Sequence, residues 1–194
     1  MERIEDDAQP DAGRMVFHAV DRTRWADVER LFEGRGGPKS CWCMVWRATP
    51  AEARDTSGRA RKAALHGRVE GGVPIGILGY VDGEPLAWCS VAPRDTYRRL
   101  DGAEAKEEDG ERVWSIACFF IHRALRGQGA MNRLLAAAVE HARDQRATVV
   151  EAYPVDADSP SYRFMGFVPS FEAAGFREVG RAGTRRHVMR LALR

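Results

Sequence analysis

Residues 126–132, Arg-Gly-Gln-Gly-Ala-Met-Asn, have the spacing with the clearest chemical content in the chain. They lie between an apolar run, Trp114 to Ile121, and a stretch where Met131, Leu134, Leu135, Ala138 and Ala142 fall on one helical face. Glycines at i and i+2 let the backbone come close to a ligand and expose several amide N–H groups. A helix start adds about half a positive charge. Together these make an anion site suited to a pyrophosphate, with Arg126 as a further phosphate contact. A tight turn with no ligand is the bland alternative. Two other phosphate motifs fit worse. A Walker loop ends in Gly-Lys-Ser/Thr, whereas Gly129 leads into Ala130-Met131. The dinucleotide fingerprint needs a third glycine where Asn132 stands.

Other reactive side chains offer less. The four cysteines are Cys41, Cys43, Cys89 and Cys118. A Cys-x-Cys pair without a second Cys/His cluster is a weak metal signal, so no metal is expected and the pair reads as small buried thiols on a strand. Cys118 has no base beside it in sequence and reads as a core thiol. His122 titrates in a useful range, but it lies where the apolar run leaves the core.

The elements that must position these groups follow from periodicity. Residues 1–13 read as a disordered acidic tail, and residues 14–194 as one domain. Arg14 to Val20 reads as a first strand. Asp21 caps a helix carrying Trp25, Val28, Leu31 and Phe32, which Gly34 ends. Cys41 to Trp46 reads as a short strand or extended segment. Thr49-Pro50-Ala51-Glu52 has a capping-box shape ahead of a polar helical stretch interrupted by Gly58. Runs on either side of Asp82-Gly83 form a hairpin, with Glu84-Pro85 suggesting a turn longer than two residues. Trp114 to Ile121 reads as a central strand buried on both faces, followed by a helix over 129–144 and a strand over 148–155. That order implies a right-handed parallel crossover. A short helix ending at Gly175 and two closing strands complete an α/β pattern around one mixed sheet.

With 194 residues, the chain is long enough to bury a core without disulfides. Lys and Arg number 30 against 28 Asp and Glu, too even for nucleic acid as the default partner. There is no apolar run of membrane-spanning length, and the start is polar and acidic, so a cytoplasmic location is expected.

Arg126-Gly127-Gln128-Gly129-Ala130 after an apolar strand resembles the acyl-CoA loop of the GCN5-related N-acetyltransferase (GNAT) superfamily, whose pattern is Gln/Arg-x-x-Gly-x-Gly/Ala. Arg126 and Gly129 match its first two fixed positions, and Met131 departs from the third. The hairpin 83–94 is similar to the family's second and third strands, and Phe171-Glu172-Ala173-Ala174-Gly175-Phe176 to its late Tyr-x-x-x-Gly-Phe segment. Cys41-Trp42-Cys43-Met44 resembles an uncharacterised bacterial branch. The resemblance implies a central, mostly antiparallel twisted sheet with helices on both faces. It also implies acetyl-CoA as co-substrate, with direct transfer to an amine. Phe119, Phe120 and Ile121 would then bind pantetheine through their backbone, and the amides of Gly127, Gln128, Gly129, Ala130 and Met131 would hold the pyrophosphate, with the strands 114–121 and 148–155 splayed around the thioester.

Such chemistry needs a group to take the ammonium proton and one to assist the departing thiolate. The family's usual acid, a tyrosine, is replaced by Phe171. Tyr153, Tyr162 and Ser170 are substitutes, unassisted departure is the alternative, and Glu151 or His122 is a candidate base. Trp42, Met44, Trp46 and Trp88 are candidates for an apolar acceptor pocket or for plain core. The acidic run Glu104 to Glu111 reads as a solvated loop or a lure for a cationic acceptor, and the C-terminal arginines as a solvated strand face. The expected partner is a small-molecule amine, with no nucleic acid or membrane and a homodimer left open. A catalytically weak or inactive acyl-CoA-binding sensor is the second reading.

Overall fold

The computed structural model describes residues 10–99 and 110–193. In chain order its elements are β1 (Val16–Ala19), α1 (Trp25–Glu33), α2 (Gly58–Glu70), β2 (Ile77–Val81), β3 (Glu84–Pro93), β4 (Val113–Ile121), α3 (Ala130–Asp144), β5 (Val149–Ala152), α4 (Val168–Ala173), β6 (Arg177–Ala182) and β7 (Arg186–Ala192). The strands form one sheet in the order β1-β2-β3-β4-β5-β7-β6. Among the described strands only β4 and β5 pair in parallel, with α3 as the crossover. The sheet is therefore mixed but mostly antiparallel.

Alternation along the strands sends side chains to two separate cores. Ile77, Cys89 and Ile116 pack with Leu134, Leu135 and Ala138 of α3 and with Phe171 of α4. Leu78, Tyr80 and Trp88 pack on the opposite face with Val28 and Phe32 of α1 and Leu65 of α2. Helices thus cover both faces, which is what an apolar central strand requires. None of the described helices is long and apolar enough to cross a membrane.

Several local signals operate as their chemistry demands. The Asp21 carboxylate accepts from the N–H groups of Thr23 (3.0 Å) and Arg24 (3.2 Å), starting a 3-10 turn that runs into α1. Thr49 and Glu52 form the reciprocal box, Thr49 N to Glu52 Oε2 at 2.8 Å and Glu52 N to Thr49 Oγ1 at 3.3 Å. That box opens only a 3-10 turn. The helix α2 begins afresh at Gly58, capped by Ser57.

Other expectations are corrected. The Asp82-Gly83 turn has just two residues, both at positive φ (51° and 81°), so Val81 pairs with Glu84 and Tyr80 with Pro85. A register shift at Gly79/Tyr80 lets Pro85 sit inside β3. Cys41 to Trp46 is not a strand. Trp42 and Cys43 are left-handed (φ 45° and 49°), and a 3-10 turn follows over Met44–Trp46. Tertiary stacking selects this conformation: the Trp42 ring lies on Phe32 at 5.1 Å and Trp25 at 5.9 Å. The expected tail also contains structure at its end. Ala12 is fully buried and its N–H donates to Gln128 Oε1 at 3.0 Å. Residues 1–9 and most of the acidic run, 104–109, lie outside the described residues.

Candidate active site

Strands β4 and β5 stay paired only from Val113↔Val149 to Ile116↔Ala152. Strand β4 continues to Ile121, whereas β5 ends, and Val155 bridges instead to Phe167 and Arg186. Beyond Ile116 one edge of β4 therefore has no β5 partner. On the other edge, the His122 N–H donates to Leu86 O of β3 at 2.8 Å. By the alternation of peptide groups, those of Phe120 face β3, while those of Phe119 and Ile121 face the open edge. Of the three residues expected to offer backbone bonds, two present them there.

The loop after β4 meets the start of α3. Gly127 and Gly129 have φ of 78° and 72°, and a Cβ at either position would meet nothing within 4 Å. Left-handed backbone of this kind favours glycine. The first amide bonds at the head of α3 are made by Asn132 and Arg133, both to Gly129 O. The N–H groups of residues 127–131 have no backbone acceptor among the described residues. They crown a 15-residue helix, and Arg126 is exposed beside them. Amides so arranged at a helix start suit an anionic group. Gln128 has a structural task as well, since its Nε2 donates to Ala124 O at 2.9 Å while its Oε1 holds Ala12. The Met131 methyl lies next to Gly166, and its side chain packs on the core that holds Phe171.

An apolar cavity of about 220 Å³ runs along β4. It is lined by consecutive residues Ala117 to Phe120, so it follows the strand's edge rather than one face. Cys41, Cys43, Val45, Trp46 and Phe164 are also in its lining. Two wider hollows, of about 420 and 610 Å³, share no residue with the loop or with this edge. Of the four residues expected at an apolar pocket or in plain core, Trp46 lines this cavity and the other three do not. Trp42 (1% exposed) and Trp88 (0%) are core residues, and Met44 lines a separate hollow of about 180 Å³ beside α2.

Glu151 is fully buried, and both of its oxygens are engaged. Arg94 Nη1 lies 3.2 Å from each, Arg190 Nε donates to Oε2 at 2.7 Å, and the Tyr153 hydroxyl donates to Oε1. Arg94 and Arg190 lie 57 and 39 residues away in sequence, so no local motif announces them. Tyr153 is itself fully buried, and burial followed by the Glu151 charge pushes its phenol well above the usual tyrosine range. Tyr162 stands elsewhere. It is 37% exposed, left-handed (φ 58°), and its ring lies 6.3 Å from those of Trp46 and Phe164, both cavity residues. Phe171 is buried between Phe119 and Phe176. His122 begins the 3-10 turn before the loop, its Nδ1 accepting from Ala124 N at 3.4 Å. Ser170 is half-buried in α4.

All four thiols are free. A hydrogen bond to Cys118 and burial push the Cys43 thiol well up, and a hydrogen bond to Cys43 does the same for Cys41. The Trp88 indole N–H donates to Cys43 Sγ at 3.0 Å. Such thiols are poor nucleophiles. Among the described residues no group of three or more His, Cys, Asp or Glu is placed to hold a metal.

Known proteins share this architecture. The structure of yncA from Salmonella typhimurium with its cofactor acetyl-CoA matches at TM-score 0.52 and 17% identity, covering 93% of this chain and 95% of that one. The ribosomal-protein-alanine N-acetyltransferase of Brucella melitensis matches at 0.53 and 16%, covering 92% and 99%. The aminoglycoside acetyltransferase AAC(6')-Ib in complex with coenzyme A matches at 0.56 and 16%, covering 92% and 94%. These likenesses concern the fold. No curated protein matches the sequence. The family model described as acetyltransferase (GNAT) family matches residues 39–167, a span that holds the parted strands, the glycine loop and the cavity wall. With more than half of its length so matched, the chain belongs to the GNAT acetyltransferase family.

Proposed function

We propose that the protein is an acetyl-CoA-dependent N-acetyltransferase that moves an acetyl group directly to the primary amine of a small molecule. One observation carries this reading: five amides without backbone acceptors, at residues 127–131, stand beside an unpaired strand edge that borders a 220 Å³ cavity. When bound, acetyl-CoA supplies an activated acyl thioester. The amides of Gly127 to Met131, with Arg126, would hold its pyrophosphate, and the peptide groups of Phe119 and Ile121 would align its pantetheine arm.

The chain's own groups divide the remaining work. Glu151 accepts from two arginines and a tyrosine, leaving no lone pair to receive a substrate proton, so its role in this account is to hold Arg94, Arg190 and Tyr153 at the point where the strands part. Tyr162, whose ring neighbours the cavity residues Trp46 and Phe164, is the candidate to protonate the departing sulfur. Tyr153 is less suited because its proton is committed to Glu151. The amine reaches the cavity from solvent and gives up its proton to water, since no free carboxylate lines the wall. Mixing the protein with acetyl-CoA and a panel of amines, and titrating released thiol, tests the proposal. Release that depends on the amine supports it. Tight acetyl-CoA binding without release on any amine favours a sensor of the same fold, the reading that the buried Phe171 in place of a tyrosine recommends.

A further inference from the structure

Behind the apolar cavity on β4 lies a cluster in which hydrogen-bond donors outnumber acceptors. Arg47 is buried, and its guanidinium donates to Tyr97 OH (2.6 Å), Ile75 O (2.8 Å), Ser90 Oγ (3.1 Å) and Thr96 Oγ1 (3.4 Å). All four acceptors are neutral, and its Nε is buried with no partner among the described residues. The guanidinium also stacks on the Tyr97 ring, 4.0 Å from its centre. Tyr97 OH and Ser90 Oγ are buried and 3.0 Å apart. Each already accepts from Arg47. One of their two protons serves the bond between them, and the other has no acceptor among the described residues. Burial pushes the Tyr97 phenol well above the usual tyrosine range, so its proton stays. A buried donor without an acceptor and a buried cation without an anion are both unfavourable. Of the two hydroxyl residues, only Ser90 lines the cavity, and among the described lining residues it alone carries a hydroxyl. It stands opposite Cys118, where a register shift leaves Ala117 of β4 without an opposite residue. Such bulges re-aim the side chains around them. Trp46, in the same lining, has its indole Nε1 buried with no partner among the described residues.

We propose that Ser90 is a catalytic residue of the transfer: its hydroxyl donates to the carbonyl oxygen of the thioester seated in the cavity, with Tyr97 and Arg47 as positioning residues behind it. The inference rests on the acetyltransferase reading and adds the group that receives the carbonyl charge. An acceptor in the cavity fixes the order of the chain. Arg47 donates to Tyr97, Tyr97 to Ser90, and Ser90 to the carbonyl oxygen. As the amine nitrogen bonds to the acyl carbon, the carbonyl π pair moves onto oxygen. It returns as the C–S bond breaks, and the sulfur leaves with the pair of that bond. Ser90 keeps its proton throughout, and its hydrogen bond is strongest while the oxygen is negative. Arg47 supplies the positive charge behind the chain, and successive hydrogen bonds polarise one another.

Two readouts on the full chain test this. By thiol release, Ser90→Ala should lower kcat about a hundredfold, the usual worth of one such donor, with KM for acetyl-CoA little changed. Tyr97→Phe keeps the ring under Arg47 and removes the relay, so it should lower kcat by less, and the test survives if one variant fails to fold. Infrared difference spectra of bound acetyl-CoA, isotopically labelled at the carbonyl carbon, read the hydrogen bond without turnover. The carbonyl stretch should lie at lower wavenumber in the wild type than in either variant. Such a shift with no thiol release on any amine sinks the transfer reading and leaves this site standing. Transfer that keeps its kcat in both variants overturns the proposal. So does a kcat that falls while the stretch stays in place, because Ser90 is then structural. Absence of acetyl-CoA binding overturns both readings.

Discussion

Replacing Glu151 by glutamine distinguishes a carboxylate that holds the structure from one that does the chemistry. The side chain is fully buried, and its oxygens receive Arg94, Arg190 and Tyr153. Glutamine keeps the shape but removes the charge, and its amide nitrogen points a donor at other donors. Breaking a buried ion pair by deleting one partner costs about 3–5 kcal/mol. Arg94 and Arg190 keep 21% and 15% of their side-chain surface, and Arg190 retains Glu111 at 3.2 Å, so the lower end, about 3 kcal/mol, is expected. For a domain of this size that is a fall in Tm of about 6–12 °C. Urea unfolding should show a lower midpoint at an unchanged slope. Acetyl-CoA affinity at a temperature where both proteins are folded should be nearly unaltered. A variant that loses less than about 1 kcal/mol while its rate collapses and the acid limb of its pH–rate profile disappears would refute the reasoning and make Glu151 the base.

Other outcomes follow from the same geometry. Tyr162→Phe should lower kcat about tenfold with little change in KM for acetyl-CoA, measured by thiol release; an unchanged kcat means that the thiolate leaves unassisted. Tyr153→Phe should instead cost about 1–3 kcal/mol of stability, because Glu151 loses a buried donor, with kcat kept in the folded fraction. Glu52 is held down to about 2 by its hydrogen bonds with Arg68, at 2.8 and 2.9 Å. A depressed carboxylate stabilises the fold above its unfolded value of 4.5, and that contribution is lost as pH falls toward 2. Urea midpoints between pH 4.5 and 2 should therefore fall less steeply in Glu52→Gln than in the wild type.

What the sequence makes legible is what local geometry decides. The apolar period of 130–144 and the glycines before it announce α3 and its loop, because both signals lie within one turn of each other. The hairpin is legible too, although Pro85 suggests a longer loop than the two positive-φ residues that close it. Burial against distant partners is not legible. Trp42 abandons an extended backbone to stack on Phe32, a contact between segments that no period links. Glu151 looks like an exposed strand carboxylate until Arg94, just past the end of β3, and Arg190, opposite it on β7, arrive. The cavity is assembled from residues 38, 41, 43, 45, 46, 90, 117–120 and 164, and only the topology of the parted strands brings them together.

Calorimetric titration of coenzyme A into the wild type, Gly129→Glu and Gly129→Asn tests the phosphate cradle most directly. Asparagine tolerates the left-handed backbone at φ 72° without adding charge, whereas glutamate sets a carboxylate among the free amides. Two like charges about 4 Å apart in a surface cleft repel by about 4 kcal/mol, so a loss of at least about a hundredfold is expected in the glutamate variant. Saturable binding to the wild type, largely kept by asparagine and abolished by glutamate in a folded protein, is the predicted result. No heat with the wild type, or equal affinity in all three, would contradict the account.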